Sequence, residues 1–266
     1  MCRILGVSRQ GYYAWQGRGL SEHKAEDQHL AKEILGIFEG SGGTYGSPRI
    51  QKELKVRGKR ISRRRVERLM RAANLRGRVS RVYRSNPRLH DMYEQHPNRL
   101  WKLHASRRDQ IWVGDITYLP LGSRWRYLAV VMDQYTRRVL GWSLSRRRGT
   151  RLTRTVFDLA IRHRRLRKRL IFHSDRGSEY AGQAFARRLR SRGVWQSMTR
   201  GGSPSDNAHM ESFFHSLKAD VIHGLRFTDE RQLRSCIKSY VHYYNHKRLH
   251  SALGYQSPVE YERRVA

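Results

Sequence analysis

The stretch from residue 111 to residue 144 runs IWVGDITYLPLGSRWRYLAVVMDQYTRRVLGWSL. It contains three runs rich in aliphatic, aromatic and β-branched residues, separated by Gly122-Ser123 and by a polar stretch around Tyr135-Thr136. The pattern predicts strands over 111–119, 125–132 and 138–144. The connections are too short for a crossover, so the three strands form an antiparallel meander. Downstream the period changes. Leu152, Val156, Leu159 and Ala160 predict a helix over 150–165. Leu170-Ile171-Phe172 predicts a short buried strand, and a helix near 183–192 and a strand at Val194–Met198 follow. Gly201 to Ser205 reads as a flexible loop, after which Asp206 or Asn207 caps a helix running to about Ile222. Residues 109–222 therefore read as an α/β core.

Three carboxylates stand out within that core. Asp115 interrupts a strand, on the same face as Val113 and Thr117, where aspartate is depleted and a buried charge is costly. Asp175 follows the apolar strand and precedes Arg176-Gly177-Ser178, where the chain turns at a sheet edge. Glu211 lies about one turn into the helix after the flexible loop, at the border of a stripe made by Met210, Phe213, Phe214, Leu217 and Val221. Carboxylates from neighbouring elements of one sheet make a hard-oxygen site for Mg²⁺ or Mn²⁺. Two such ions clamp the attacking and leaving oxygens of an in-line phosphoryl displacement. Asp133 is either a fourth site carboxylate or a turn cap before Tyr135-Thr136. His173 and His209 adjoin the triad and read as packing residues or DNA contacts.

Charge points to the substrate class. The 266 residues carry 55 Lys+Arg against 22 Asp+Glu, a formal net charge of +33. Self-repulsion of that size favours a polyanionic partner, and nucleic acid is the leading one, ahead of an anionic membrane surface. Of the 55 cations 45 are arginine, which suits phosphate oxygens but equally reflects a GC-rich genome. No apolar run reaches membrane-spanning length. Cys2 and Cys236 form no metal-ligand pattern and suit a reducing cytosol, with Cys236 a packing residue.

Residues 1–80 read as short helices: one over 25–39, one begun by Ser47 as cap with Pro48 in its first turn, and one capped by Ser62 and running to Ala73. On the last, Val66, Leu69, Met70 and Ala73 share a face, while Arg63, Arg64, Arg68 and Arg71 fall outside it. This is either a helix-turn-helix whose second helix enters the major groove or a basic helical hairpin. Residues 81–108 read as a basic linker. Residues 223–266 hold a helix near 228–245 and a basic, aromatic tail, in which Tyr243 to His250 is either a packing face or a base-stacking platform.

Three motifs carry a resemblance. Trp112-Val113-Gly114-Asp115-Ile116-Thr117-Tyr118, His173-Ser174-Asp175-Arg176-Gly177-Ser178 and Ser205 to Phe214 are similar to the two Asp motifs and the Glu motif of bacterial insertion-sequence transposases with a retroviral-integrase-type core. Thirty-five residues separate Asp175 from Glu211, that family's spacing. Lys218, seven positions after Glu211, matches its basic residue. Tyr243 to His250, Leu253-Gly254-Tyr255 and Ser257-Pro258 match its carboxyl-terminal pattern, and Tyr45 to Ile50 fits its amino-terminal helical domain. Glu179 replaces the Gln usual there, and its role is open.

The resemblance implies a ribonuclease H-like core with a helix-turn-helix domain before it and a helical tail behind it. It further implies a transposase that cleaves an element's ends and transfers the 3′-hydroxyl. Asp115, Asp175 and Glu211 would hold two Mg²⁺ or Mn²⁺ ions. Lys218, Asn207, Arg49, Arg63, Arg64, Arg68 and Arg248 are the candidate DNA contacts. A homodimer or larger assembly on DNA, in the bacterial cytoplasm, is expected, as is fusion to or partnership with an upstream-frame DNA-binding protein. The rival readings are a DNA-binding regulator with a vestigial core and a ribonuclease H-type nuclease.

Overall fold

The computed structural model describes residues 2, 4, 6–17, 21–77, 98–100, 103–162, 164–166, 168–199, 207–222 and 224–266. The chain divides into two compact units, residues 1–78 and 79–266. Most of the expected linker 81–108 and the loop through Asp206 lie outside the described residues.

The first unit is helical. A helix absent from the sequence reading, α1 (Arg9–Gln16), precedes α2 (Glu22–Gly40), α3 (Ser47–Val56) and α4 (Arg63–Ala72). Leu30, Ile34 and Ile37 of α2 are buried, as are Ile50 and Leu54 of α3 and Val66, Leu69 and Met70 of α4. Ser62 caps α4 by accepting the Arg65 N–H. Two expectations need correction. Gly46, not Ser47, is the cap of α3; Ser47 is the first residue inside the helix, and its hydroxyl donates to Glu67 at 3.0 Å. Ala73 is exposed, since α4 ends before it.

The second unit is a five-stranded sheet with helices on both faces. Its elements are β1 (Ile111–Leu121), β2 (Arg124–Asp133), β3 (Val139–Ser145), α5 (Thr150–Ile161), β4 (Ile171–Ser174), α6 (Ser178–Ala181), α7 (Gln183–Arg190), β5 (Trp195–Met198), α8 (Ala208–Leu217), α9 (Glu230–His246) and α10 (Pro258–Arg264). The spatial order is β3-β2-β1-β4-β5. The first three strands pair antiparallel, and β4 joins β1 in parallel. Alternation along β1 splits the core, as a pleated strand requires. Ile111, Val113 and Leu119 pack with α8 and α9, whereas Trp112 packs with α5 and α7 around Phe157, Phe172 and Phe185.

The helix α8 is shorter than expected. It gives way at Lys218 to a π-helical turn, Lys218–Ile222. Residues 223–266 share the core of the sheet: Leu233, Ile237, Tyr240 and Tyr244 of α9 join the same apolar cluster as Val113 and Phe213. Asn245 holds β3 through both Val139 backbone groups, at 2.9 Å each.

Candidate active site

The sheet register brings the first two carboxylates together. On the parallel pair, Gly114 lies opposite Ser174, so the next residue on each chain, Asp115 and Asp175, emerges side by side. Neighbouring strands are about 4.8 Å apart. Asp115 shares the face of β1 that packs on α8, and Glu211 stands in the first turn of that helix. Gly114 supports the crossing: a Cβ there would collide with the Phe172 ring.

The electrostatics agree with this convergence. Burial pushes the Asp115 carboxyl up to about 8, and the negative charges of Asp175 and Glu211 push the same way. The Ile116 N–H, donating to Asp115 Oδ1 at 2.7 Å, opposes the shift only in part. Asp175 is raised by burial as well, against the pull of the Gly177 N–H at 3.1 Å and of Arg148. Beneath both lies Tyr180, fully buried, its hydroxyl held far above the ordinary range by burial and by the two aspartates.

Arg148 and Glu179 belong to the same neighbourhood. Glu179 is buried and ion-paired to Arg148. A Cβ placed on Gly177 would meet Glu179 Oε2 at 2.5 Å, Asp175 Oδ1 at 3.1 Å and Arg148 Nη2 at 3.3 Å. Gly177 therefore keeps the space into which these three groups converge. Sequence reading missed Arg148, one of a run of arginines. Its distinguishing partner lies 31 residues away, and no local pattern announces it.

Glu211 is exposed. Among the described residues no three His, Cys, Asp or Glu side chains are gathered tightly enough to enclose an ion. The donor set nevertheless fits a hard cation. It is all oxygen, the repulsion that raises Asp115 is of the kind a divalent charge relieves, and the nearby guanidinium offsets part of it.

The other candidates separate. Lys218 lies with its Nζ 4.7 Å from the centre of the Tyr118 ring, its ammonium lowered by burial and supported by Asp115. Asp133 is fully buried and accepts N–H bonds from Asp109 at 2.6 Å and Thr136 at 2.8 Å, which makes it the turn cap. His173 is buried against the Ser197 hydroxyl at 2.9 Å. His209 is held down to about 4 by burial, Arg137 and His104.

Two of the expected DNA contacts are buried. Arg248 is 7% exposed, with Ser216 at 3.0 Å and Asp220 at 3.5 Å, so it ties the tail to the π-helical turn. Asn207 is buried as well. The aromatic cluster of the tail packs inward, Tyr244 meeting Phe213 edge-on with centroids 4.9 Å apart.

In the helical unit, Arg63 pairs with Glu67 at 2.7 Å and Arg68 with Asp27 at 2.6 Å, while Arg49 lies over the Tyr45 ring. Arg65, unremarked in the sequence, is held between Glu26 and Asp27 at 2.7 and 2.8 Å. Arg64 is exposed.

Known proteins bear on this arrangement at three levels. An integrase core domain family matches residues 105–204, a second integrase core domain family matches 192–258, and an HTH-like domain family matches 25–83. The transposase InsF for insertion sequence IS3A of Escherichia coli (strain K12) is 36% identical over 272 residues, covering 98% of this chain and 92% of its own. An uncharacterized 31 kDa protein of insertion element IS600 from Shigella sonnei is 35% identical, covering 98% and 97%. In three dimensions, a chain of the simian T-cell lymphotropic virus intasome in complex with PP2A regulatory subunit B56 gamma matches 80% of this chain with a TM-score of 0.53 at 18% identity, which is a likeness of fold. The meander continued by a parallel β4, the helical unit before it and the near full-length identity agree: the chain belongs to the insertion-sequence transposases of the InsF type, DNA transposases built on a ribonuclease H-like integrase core.

Proposed function

We propose that this transposase cuts the ends of its element and joins the freed 3′-hydroxyl to a new phosphodiester, using Asp115, Asp175 and Glu211 to hold two Mg²⁺ or Mn²⁺ ions. The observation that carries the reading is the emergence of Asp115 and Asp175 from equal register positions on parallel strands, with Glu211 close enough to raise Asp115. Two bound divalent ions supply Lewis acidity to the attacking and leaving oxygens. The protein's part is positional. Asp115 is held within β1, and Asp175, just beyond β4, has its Oδ1 held by the Gly177 N–H, so their oxygens lose little freedom on binding. Glu211, exposed on the first turn of α8, completes the donor set from the open side. Lys218, the residue directly after α8, holds a DNA phosphate beside them. One phosphodiester is exchanged for another, so the joining step needs no nucleotide cofactor.

Cutting two ends together implies a dimer or larger assembly on DNA. An upstream-frame DNA-binding partner remains part of the proposal. The helical unit would select the element's end through α4, with Arg64 as the exposed cation at its start.

The test uses the full chain and a labelled duplex of the element's end. Nicked and joined products should form with Mg²⁺ or Mn²⁺ and fall to little or none with Ca²⁺, whose looser coordination supports in-line geometry poorly. An RNA–DNA hybrid of the same length should remain intact. Hydrolysis of the hybrid in preference to the duplex would replace the reading by a nuclease. DNA binding without products in any of the three metals, with or without the upstream-frame partner, would replace it by a regulator.

A further inference from the structure

Beyond Gly114, β1 has no pairing with β4 among the described residues, because their ladder covers only Ile111–Gly114. The strand continues for seven more residues, paired on its other side with β2. On this projecting hairpin stand two large aromatic side chains that the core does not use. Tyr118 is 58% exposed and Trp125 53% exposed. Their rings meet edge to face with centroids 5.1 Å apart. The Lys218 ammonium lies over the Tyr118 ring. Asp115 is three positions back along the same strand, about 10 Å at the rise of a strand and on the opposite face of its pleat; Lys218 links the two, lying over the Tyr118 ring and feeling the charge of Asp115.

We infer that Tyr118 and Trp125 form a stacking platform for unpaired DNA bases next to the carboxylates, with Lys218 taking the adjoining phosphate. The inference rests on the transposase reading and extends it from the site of cutting to the state of the DNA there. The chemistry favours this occupant. A nucleotide presents a π face and an anion at a fixed short separation, and here exposed rings and a cation are offered together. Every base has such a face, so the platform is tolerant of sequence. A duplex keeps its bases stacked on one another, so only frayed or unpaired nucleotides can use it. The rim is cationic: Arg124, exposed, precedes Trp125, and the whole chain carries +33. An apolar partner helix would meet that charge at a cost, whereas DNA is attracted by it. A cross-strand aromatic pair also stiffens a hairpin. That role alone, however, needs no cation over one ring and gives no preference among DNA probes.

The measurement is binding by the full chain in EDTA, so that cutting does not intervene. Three probes share one duplex sequence: blunt, extended by three unpaired nucleotides, and extended by three abasic nucleotides that keep the phosphates. Wild-type protein should bind the base-bearing extension about 5- to 150-fold more tightly than the abasic one, the range given by roughly 1–3 kcal/mol for one stacked base. Tyr118→Ala with Trp125→Ala should bring that ratio close to one, and Tyr118→Phe with Trp125→Phe should keep most of it. Tyr118→Leu with Trp125→Leu retains bulk without a π face and should behave like alanine. A ratio near one in the wild type would overturn the platform without needing any variant. So would a ratio unchanged by the alanine or leucine pair, or a change in self-association in its place. The ratio is read without metal. A failed platform beside intact Mg²⁺-dependent cleavage therefore leaves the transposase reading standing.

Discussion

At the residue scale, the cost of the site is visible in Asp115. A carboxyl whose folded value lies near 8 holds its proton better in the folded chain than in the unfolded one. Its effect on stability is therefore benign below about pH 4 and becomes a penalty as pH rises toward 8, where the folded carboxyl must ionise beside Asp175. Asp175, raised for the same reason of burial, adds to the trend in the same direction. Metal-free wild-type protein should lose melting temperature between pH 6 and pH 8.5, and Asp115→Asn should lose less and melt higher at the alkaline end. Addition of Mg²⁺ at pH 8.5 should raise the melting temperature of the wild type more than that of the variant. Parallel curves for the two proteins would mean that Asp115 carries no such strain. How legible these residues were depended on the range of their partners. Asp115 and Asp175 stood out because a carboxylate in a strand, or at the end of one, has a local signature. Arg248, an arginine in a basic tail, has no local sign of burial; Asp220, 28 residues upstream, draws it in. Glu179 made no sense until Arg148 was beside it.

At the element scale, the strands were readable and the joints were not. Runs rich in aliphatic, aromatic and β-branched residues located the meander to within two residues, since one face of β1 packs on α8 and α9 and the other on α5 and α7. The π-helical turn at Lys218–Ile222 has no comparable sequence signature. Asp220 accepts from the Tyr240 hydroxyl at 3.1 Å, and Lys218 lies over Tyr118. The packing of α5 on β3 depends on one glycine. A Cβ on Gly141 would stand 2.9 Å from the Val156 carbonyl oxygen and 3.0 Å from the Ala160 nitrogen, both of them backbone atoms that cannot swing away. Gly141→Ala should therefore cost about 1–3 kcal/mol, as overpacking in a tight core does. Urea unfolding would read this as a lower midpoint with an unchanged slope. A midpoint equal to the wild type would show that α5 is free to shift.

At the scale of the whole molecule, charge and division of labour make the predictions. A footprint of six or more phosphates should cost duplex binding several orders of magnitude between about 50 and 200 mM salt. A flat plot of log affinity against log salt would contradict a broad electrostatic interface. Within the helical unit, Arg65 and Arg68 are engaged by Glu26 and Asp27 of α2 and Arg63 by Glu67, whereas Arg64 is exposed in the first turn of α4. Arg63→Ala with Arg64→Ala should erode the preference for element-end over random duplex by about 5- to 150-fold if a bidentate base contact worth roughly 1–3 kcal/mol is lost. An unchanged preference would move recognition elsewhere in the chain.

The central claim is that Asp115, Asp175 and Glu211 form one metal-dependent centre for cutting and joining DNA. It is tested most directly by following a labelled element-end duplex in Mg²⁺ with wild type, Asp115→Asn, Asp175→Asn and Glu211→Gln, and measuring binding of the same duplex in EDTA. Each substitution keeps the shape of the side chain and removes one negative charge needed to hold a divalent ion. Nicked and joined products should vanish in all three variants while metal-free binding holds or strengthens, because a carboxylate no longer repels the phosphate. Products equal to those of the wild type from any one of the three would contradict the claim.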